Sequence, residues 1–252
     1  MSFDVAVERY DRFMGRYSRL LSGPLADLAG VRAGQRAVDI GCGPGALTGE
    51  LVARLGADAV AAVDPSEPFV AAASTRHPGV DVRRASAEQL PFAVATFDVA
   101  LAQLVVHFMT DPVAGLTEMR RVTRPGGSVA ACVWDHARGR GPLGLFWDAA
   151  RALDPDVHDE STLAGVREGH LAELFEAAGI RELTSTALEV SVEHPTFDEW
   201  WKPFTRRVGP AGAYVAKLDA AAQDRLRDGC RAAIASEPFT IVARAWAVRG
   251  TA

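Results

Sequence analysis

The sequence has almost no lysine. Lys202 and Lys217 are the only two, so arginine carries nearly all of the positive charge and a single Arg says little about anion recognition. Cysteine is equally sparse: Cys42, Cys132 and Cys230 are odd in number, far apart and without a CxxC pair, which argues against a disulfide framework and against a metal site of the zinc type. There is no block of basic residues and the net charge is −5, so nucleic acid is not an expected partner, because neutralising phosphates takes clustered cations. No apolar run approaches the length of a membrane span. Asp4, Glu8, Arg9, Asp11 and Arg12 stand where a signal peptide would need an unbroken apolar stretch. The expectation is a cytoplasmic protein that does not enter a membrane. Internal repeats and low-complexity tracts are absent as well.

What is present fits one enlarged α/β domain: 252 residues, 48% hydrophobic and 23% charged, are enough to bury a substantial core and too few for two full, independent domains. Residues 36–134 alternate between strand and helix patterns. Arg36 to Ile40, Asp58 to Val63, Val80 to Arg84, Phe97 to Gln103 and Ser128 to Trp134 read as strands. Between them, Leu47, Leu51, Val52 and Leu55 recur at helical spacing before Gly56, and Ser66 is placed to cap a helix with Pro68 in its first turn and His77-Pro78-Gly79 at its end. A further helix covers roughly Pro112 to Val122, before the break Arg124-Pro125-Gly126-Gly127. Such alternation implies a parallel sheet with right-handed crossovers and ligands at the carboxyl ends of its strands.

The rest is less regular. Leu171 to Ala178 looks helical, and Glu182 to Val192 and Phe239 to Val248 look like strands separated by Trp- and Pro-rich helical material. That pattern suggests an antiparallel edge with an insertion. We read about residues 136–170 and 194–236 as a helical cap, and residues 1–35 as an N-terminal helical segment. Within residues 5–21 one stripe is Tyr10, Phe13, Met14 and Tyr17, and another is Arg9, Arg12, Arg16 and Arg19.

The densest functional signal is Val38-Asp39-Ile40-Gly41-Cys42-Gly43-Pro44-Gly45, a GxGxG turn between a short apolar strand and a helix. Glycines there permit positive φ and remove Cβ atoms that would hold a nucleotide cofactor off the backbone. Asp64, at the end of the second strand, stands where a carboxylate accepts hydrogen bonds from both ribose hydroxyls. Asp39 is the discriminating residue. A carboxylate directly before the loop repels a pyrophosphate and suits a cofactor that carries positive charge, such as S-adenosylmethionine with its ammonium and sulfonium groups. A strand-end Asp satisfied by its own loop is the alternative at this position.

With Asp64-Pro65-Ser66, the block Ala87-Glu88-Gln89-Leu90-Pro91-Phe92 leading to Phe97-Asp98-Val99, and Glu118-Met119-Arg120-Arg121-Val122 before Arg124-Pro125-Gly126-Gly127, the loop resembles the class I S-adenosylmethionine-dependent methyltransferases. It is most similar to the small-molecule branch that includes the ubiquinone and menaquinone biosynthesis C-methyltransferases. Tyr10-Asp11-Arg12-Phe13-Met14-Gly15-Arg16-Tyr17 resembles the N-terminal lid of that branch. The resemblance implies a doubly wound, seven-stranded, mostly parallel α/β sheet of the Rossmann-like methyltransferase fold, with one antiparallel strand, Phe239 to Val248, in the last-but-one position, and a helical cap.

It also implies a site. Gly41, Cys42, Gly43 and Gly45 with Asp39 approach the methionine part of S-adenosyl-L-methionine, Asp64 holds the ribose, Pro65 and Ser66 flank the adenine, and Ala87 with Glu88 border its edge. Gln103 lies beside the methionine or ribose, Arg16 reaches the cofactor and Tyr17 the acceptor. Where the family often carries an acidic residue that reads the adenine amino group, this chain has Ser86, an uncharged and shorter acceptor.

For the acceptor, residues 102–108 contain no Asn-Pro-Pro-Tyr type motif and no Pro-Cys nucleophile, which favours a small molecule methylated on O, N or C. His107, four residues beyond Gln103, is the candidate general base because its unperturbed pKa lies near neutrality. The cap is rich in aromatics: Phe146, Trp147, Phe197, Trp200, Trp201 and Phe204. Of these, Trp201 and Phe204 are candidate lining of an acceptor pocket, and Arg206 and Arg207 candidate partners for an acidic acceptor. Two other readings stand beside methyl transfer: a nicotinamide-dependent dehydrogenase, which shares the glycine loop and the acid after the second strand, and a catalytically silent S-adenosylmethionine-binding protein. The oligomeric state is not legible.

Overall fold

The computed structural model describes residues 11, 13–206 and 209–252. Its centre is a seven-stranded sheet in the order β3-β2-β1-β4-β5-β7-β6. Strands β1 (Ala37–Ile40), β2 (Val60–Asp64) and β4 (Phe97–Gln103) are buried along their whole length, which is why they read as continuous apolar runs: both faces of a parallel sheet are covered. They pair in parallel with β3 (Asp81–Arg84) and β5 (Thr123–Trp134). From β1 the chain winds outward to β2 and β3, then returns to β4 on the other side. The carboxyl ends of β1 and β4 therefore flank the point where winding reverses, where open α/β sheets bind ligands. Strand β7 (Phe239–Thr251) lies between β5 and β6 (Arg181–His194) and is antiparallel to both, in the last-but-one position that the resemblance implies.

Side chains alternate between two layers. Ala37, Val99 and Leu101 face helices α1 (Gly15–Ala29) and α2 (Ala46–Leu55), whereas Val38, Ile40, Ala100 and Ala102 face α4 (Pro112–Val122) and α6 (His170–Ala177). The second βαβ crossover carries α3 (Glu67–Arg76). Asp39 and Gln103 share the α1/α2 side.

Several boundaries differ from the sequence reading. Within the N-terminal segment read over 1–35, helix runs over Gly15–Ala29: beyond the stripes of residues 5–21, Leu21, Leu25, Ala26 and Ala29 continue a buried face through Pro24, and Gly30 then stops it in the left-handed region. Of the two stripes, Arg9, Tyr10 and Arg12 lie outside the described residues. Strand β2 starts at Val60 because residues 57–59 form a 3-10 turn. Strand β5 starts at Thr123 because the Pro125-Gly126-Gly127 break is bridged to the chain end: Gly126 N–H donates to Ala252 O, and Ala252 N–H to Gly127 O.

The segments between β5 and α6 and between β6 and β7 build a second core. Helices α5 (Gly144–Leu153), α7 (Phe197–Trp201), α8 (Gly209–Val215) and α9 (Ala220–Ala232) bring Phe146, Trp147, Phe197, Trp200, Trp201 and Phe204 together with Phe13. Phe146 stacks on Phe204 at 4.6 Å between centroids and meets Trp147 edge-on at 5.0 Å. Trp201 and Phe204 are therefore packed core, not pocket lining: Trp201 contacts Phe146, Phe197 and Phe204, and Phe204 has no exposed surface. Trp200 and Trp201 are both buried although adjacent, since Trp200 turns to Phe239 and Phe204. The Arg206 side chain and Arg207 lie outside the described residues. Phe146→Ala should cost about 3–5 kcal/mol of stability. Urea unfolding checks it: a loss below 1 kcal/mol or so would mean that these rings do not form a shared core.

Candidate active site

The glycine loop leaves β1 and is fastened at once to β2, where the N–H groups of Gly41 and Cys42 both donate to Val63 O, at 2.8 and 2.9 Å. Its three glycines have different reasons. A Cβ on Gly41, at φ +69°, would lie 2.4 Å from Val105, and one on Gly45, at φ +94°, would lie 2.7 Å from the His77 ring, whose Nε2 is 2.9 Å from Gly45 O. Gly43, at φ +52°, would meet nothing within 4 Å. Two of the glycines thus make room for the protein's own side chains, and Gly43 alone borders open space.

Beneath the loop, Asp39 is 1% exposed. Its Oδ2 accepts a 2.7 Å hydrogen bond from Thr48 Oγ1, on the first turns of α2, while Oδ1 is buried without a partner. Burial, reinforced by the Asp64 carboxylate, pushes Asp39 up to about 7, against the pull of the Thr48 hydroxyl. Asp64 is better satisfied: Oδ2 accepts the Gly43 N–H at 2.9 Å and Oδ1 the Ser66 N–H at 2.8 Å, and its pKa is raised because burial outweighs those two bonds. Ser66 stands at the N-cap of α3 without capping it, and its hydroxyl is buried and unpartnered. The Cys42 thiol is driven well above its ordinary pKa by burial and by both carboxylates, so it is an inert thiol here. Pro65 is exposed.

Ser86 is exposed and Ala87 is buried against the α4 side of the sheet. Glu88 is directed elsewhere: its Oε1 accepts the N–H groups of Thr110, at 2.8 Å, and Asp111, at 3.4 Å, and so pins the turn before α4. Gln103 donates from Nε2 to Ser18 O at 3.0 Å, tying α1 to the end of β4, and its Oε1 is buried without a partner. Arg16 does not face the loop. Its guanidinium donates to Glu193 O at 2.6 Å and Glu199 at 3.1 Å, and reaches His194 Nδ1 at 3.4 Å. Burial and that guanidinium push His194 down to about 4, so its neutral ring accepts from Arg16 at Nδ1 and donates from Nε2 to the Tyr17 hydroxyl 2.8 Å away. Tyr17 packs edge-on against Trp134. Arg16 and Tyr17, expected toward cofactor and acceptor, clasp α1 to the end of β6.

His107 occupies a 3-10 turn (residues 106–108) just past β4, buried, with Nδ1 unpartnered. Burial and the neighbouring His136 ring, 5.9 Å away between centroids, hold its pKa well below the usual imidazole value. His136, Glu160, Thr48 and His194 were not anticipated. A hydroxyl in the first turns of the helix after a buried Asp was a legible signal for Thr48; the others lie in segments without periodicity.

The residues present fit S-adenosylmethionine: an unpartnered buried carboxylate oxygen at the strand end suits a cation, open space borders Gly43, and a second carboxylate lies at the next strand end. Comparison with known proteins agrees. Residues 38–131 match the methyltransferase domain family. The chain is 40% identical over 176 residues to a ubiquinone biosynthesis O-methyltransferase of Cereibacter sphaeroides, covering 68% of each. It is 36% identical over 129 residues to a demethylmenaquinone methyltransferase of Beutenbergia cavernae, covering 50% of this chain and 53% of that one. Among solved structures, the fold is shared with a putative methyltransferase from an antibiotic biosynthesis pathway of Anabaena variabilis (TM-score 0.60, 18% identity, 92% of this chain and 97% of that one). It is also shared with a Haemonchus contortus phosphoethanolamine N-methyltransferase solved with S-adenosylhomocysteine (TM-score 0.59, 19% identity, 97% and 57%). A nicotinamide-dependent dehydrogenase is not favoured, and the chain belongs to the class I S-adenosylmethionine-dependent methyltransferases, in their small-molecule branch.

Proposed function

We propose that this enzyme methylates an oxygen of a small acceptor, with His107 taking the acceptor's proton. The observation that carries this reading is a neutral imidazole with an unpartnered Nδ1, buried at the end of β4 on the side where the sheet's winding reverses. Methylating a hydroxyl requires a proton to leave, and an imidazole kept neutral at physiological pH is able to accept it. Curated relatives support oxygen as the target, since they are named as ubiquinone biosynthesis and malonyl-[acyl-carrier protein] O-methyltransferases. The net charge of −5 disfavours nucleic acid as acceptor, and three buried free cysteines suit a reducing cytoplasm. No helix among the described residues is long and apolar enough to cross a membrane. Residues 1–35 act as a lid in this reading, and the cap over 136–170 and 194–236 shapes the acceptor side.

Bound at the loop, S-adenosylmethionine supplies a methyl group already activated by a sulfonium. Asp39 holds the ammonium of its methionine part, Gly43 lets it approach the backbone, Asp64 takes the ribose hydroxyls, and Ser66 offers its unpartnered hydroxyl to the nucleoside. The chain's task is otherwise to position the acceptor and exclude water.

Asp39 makes the cofactor affinity depend on pH. With its pKa raised to about 7 in the free protein, the carboxyl is mostly protonated at pH 6, and only the carboxylate pairs with an ammonium. Binding must then release a proton, so affinity should rise about tenfold from pH 6 to pH 8 and level off above. Calorimetric titration with S-adenosylhomocysteine, which keeps the ammonium, measures this. Asp39→Asn should weaken binding at pH 8 and flatten the dependence; a wild-type affinity that is flat with pH contradicts the assignment. NAD serves as the control that should not bind.

A panel of hydroxyl, amine and carbon acceptors, followed by S-adenosylhomocysteine release, tests the transfer. Hydroxyl acceptors should turn over, and His107→Ala should lower turnover by about 10²–10⁴ with cofactor affinity unchanged. Undiminished turnover in that variant excludes His107 as the base. Release with amines alone would reassign the target atom, and no release with any class would mark a silent binder.

A further inference from the structure

His107 is poorly equipped to keep a proton by itself, because an imidazolium there would be buried with no anion of its own. Help lies in the cap. His136 stands two residues past the end of β5 and is 7% exposed; its ring stands at 69° to His107, 5.9 Å away. His136 Nε2 is 3.9 Å from Glu160 Oε1, and Glu160, 4% exposed, accepts at Oε2 a 3.0 Å hydrogen bond from Trp147 Nε1. The segment carrying Glu160 is anchored by Asp159, which pairs with Arg151 of α5 and accepts the Ser161 N–H at 2.8 Å. A carboxyl is costly to bury, and this one is spent on a single indole N–H and an imidazole.

We propose that His136 and Glu160 are positioning residues for His107, the three forming an imidazole–imidazole–carboxyl line that draws the acceptor's proton from the end of β4 into the cap. This rests on the reading of His107 as the proton acceptor. The acceptor O–H bond breaks as its oxygen bonds the methyl carbon, and the bonding pair stays on the cofactor sulfur. The proton goes to His107. His107 passes a proton to His136, His136 gives one to the Glu160 carboxylate, and Glu160 leaves the turnover as a neutral carboxylic acid until solvent takes the proton when product departs. The charge states suit this direction: burial pushes Glu160 up to about 7, with Asp159 adding to the rise, and His136 down to about 4, so a proton arriving in the pair comes to rest on the carboxyl. The other charged groups around the line are Asp159, itself paired with Arg151, and Asp135, whose Oδ1 takes the Arg138 N–H at 3.3 Å. Among the described residues no three His, Cys, Asp or Glu side chains converge as metal ligands do, so the line is not a disguised metal site.

The test reads the histidines directly. In full-length protein labelled with ¹⁵N-histidine and saturated with S-adenosylhomocysteine, the tautomers and titration midpoints of His107 and His136 are followed by NMR, with each of the six histidines assigned by substitution. Glu160 titrates at higher pH than either ring, so in the wild type the signals of both histidines should show a step near pH 7 as its carboxyl ionises, and Glu160→Gln should abolish that step. With an acceptor that turns over, kcat should drop severalfold, its acidic limb should move to lower pH, KM for the cofactor should hold, and Glu160→Asp should restore part of the loss. Wild-type His107 signals without a step near pH 7, or a step that survives in Glu160→Gln, overturn the proposal. Should that variant not fold, Trp147→Phe keeps an aromatic ring in the cap core but removes the indole N–H that holds the carboxylate, so the step should move to higher pH; no movement there overturns it equally. Failure of the base reading looks different: His107→Ala then keeps full turnover whether or not the spectra show coupling.

Discussion

A carboxyl between two parallel strands has few ways to be satisfied, and Asp39 uses only one of them. Its neighbours in the sheet, Ala62 on β2 and Leu101 on β4, offer no side-chain donor, and the backbone of β1 is committed to ladders on both sides. Thr48 reaches one oxygen because the glycine loop turns the chain back tightly enough to start α2 directly above β1. The other oxygen has nothing. An interior group left this way costs stability and persists where it does something else. Here it fixes a negative pole at the point where the sheet's winding reverses, and the rest of the site is arranged around that pole: Gly43 open above it, and Asp64 at the adjacent strand end.

The N-terminal helix depends on the same region. Ser18 O of α1 receives the Gln103 amide at the end of β4, and the Tyr17–His194–Arg16 clasp holds the helix to the end of β6. Helix α1 therefore runs along one face of the sheet from the carboxyl end of β4 to that of β6. Its grip is polar at both points and sits on a buried apolar face, so the helix is held by specific hydrogen bonds as well as by burial.

The strand–helix alternation was legible because β1, β2 and β4 are buried on both faces, and only unbroken apolar runs meet that demand. Asp39 and Asp64 stood out for the same reason, as charges inside such runs. The reasons for Gly41 and Gly45 were hidden, since Val105 and His77 come from distant positions and local sequence cannot show what a Cβ would strike. Helix α1 runs on through Pro24 because burial of the following turn outweighs one lost hydrogen bond. Arg16 and Glu88 carry chemistry that suits a cofactor site, yet both are committed to the backbone of neighbouring segments, a choice that spacing does not reveal. In the cap, aromatic density was visible, but which rings face one another was not, and Trp201 and Phe204 turned inward.

The two halves of the reaction are thus built from different material. Groups that fit the cofactor sit on the ends of β1 and β2, in a loop whose conformation is over-determined by Val63, Val105 and His77. The groups beside His107 arrive from the segment after β5, an irregular stretch anchored through Trp147 and Arg151 to the aromatic core of the cap. Because that segment shares no hydrogen bond with the glycine loop among the described residues, its sequence is free to change the acceptor side while the strand ends stay constant. The buried His136–Glu160 pair thus stands on the same segment that is fastened to the aromatic core. Changes in the cap would then alter which acceptor is enclosed and how readily its proton leaves, together.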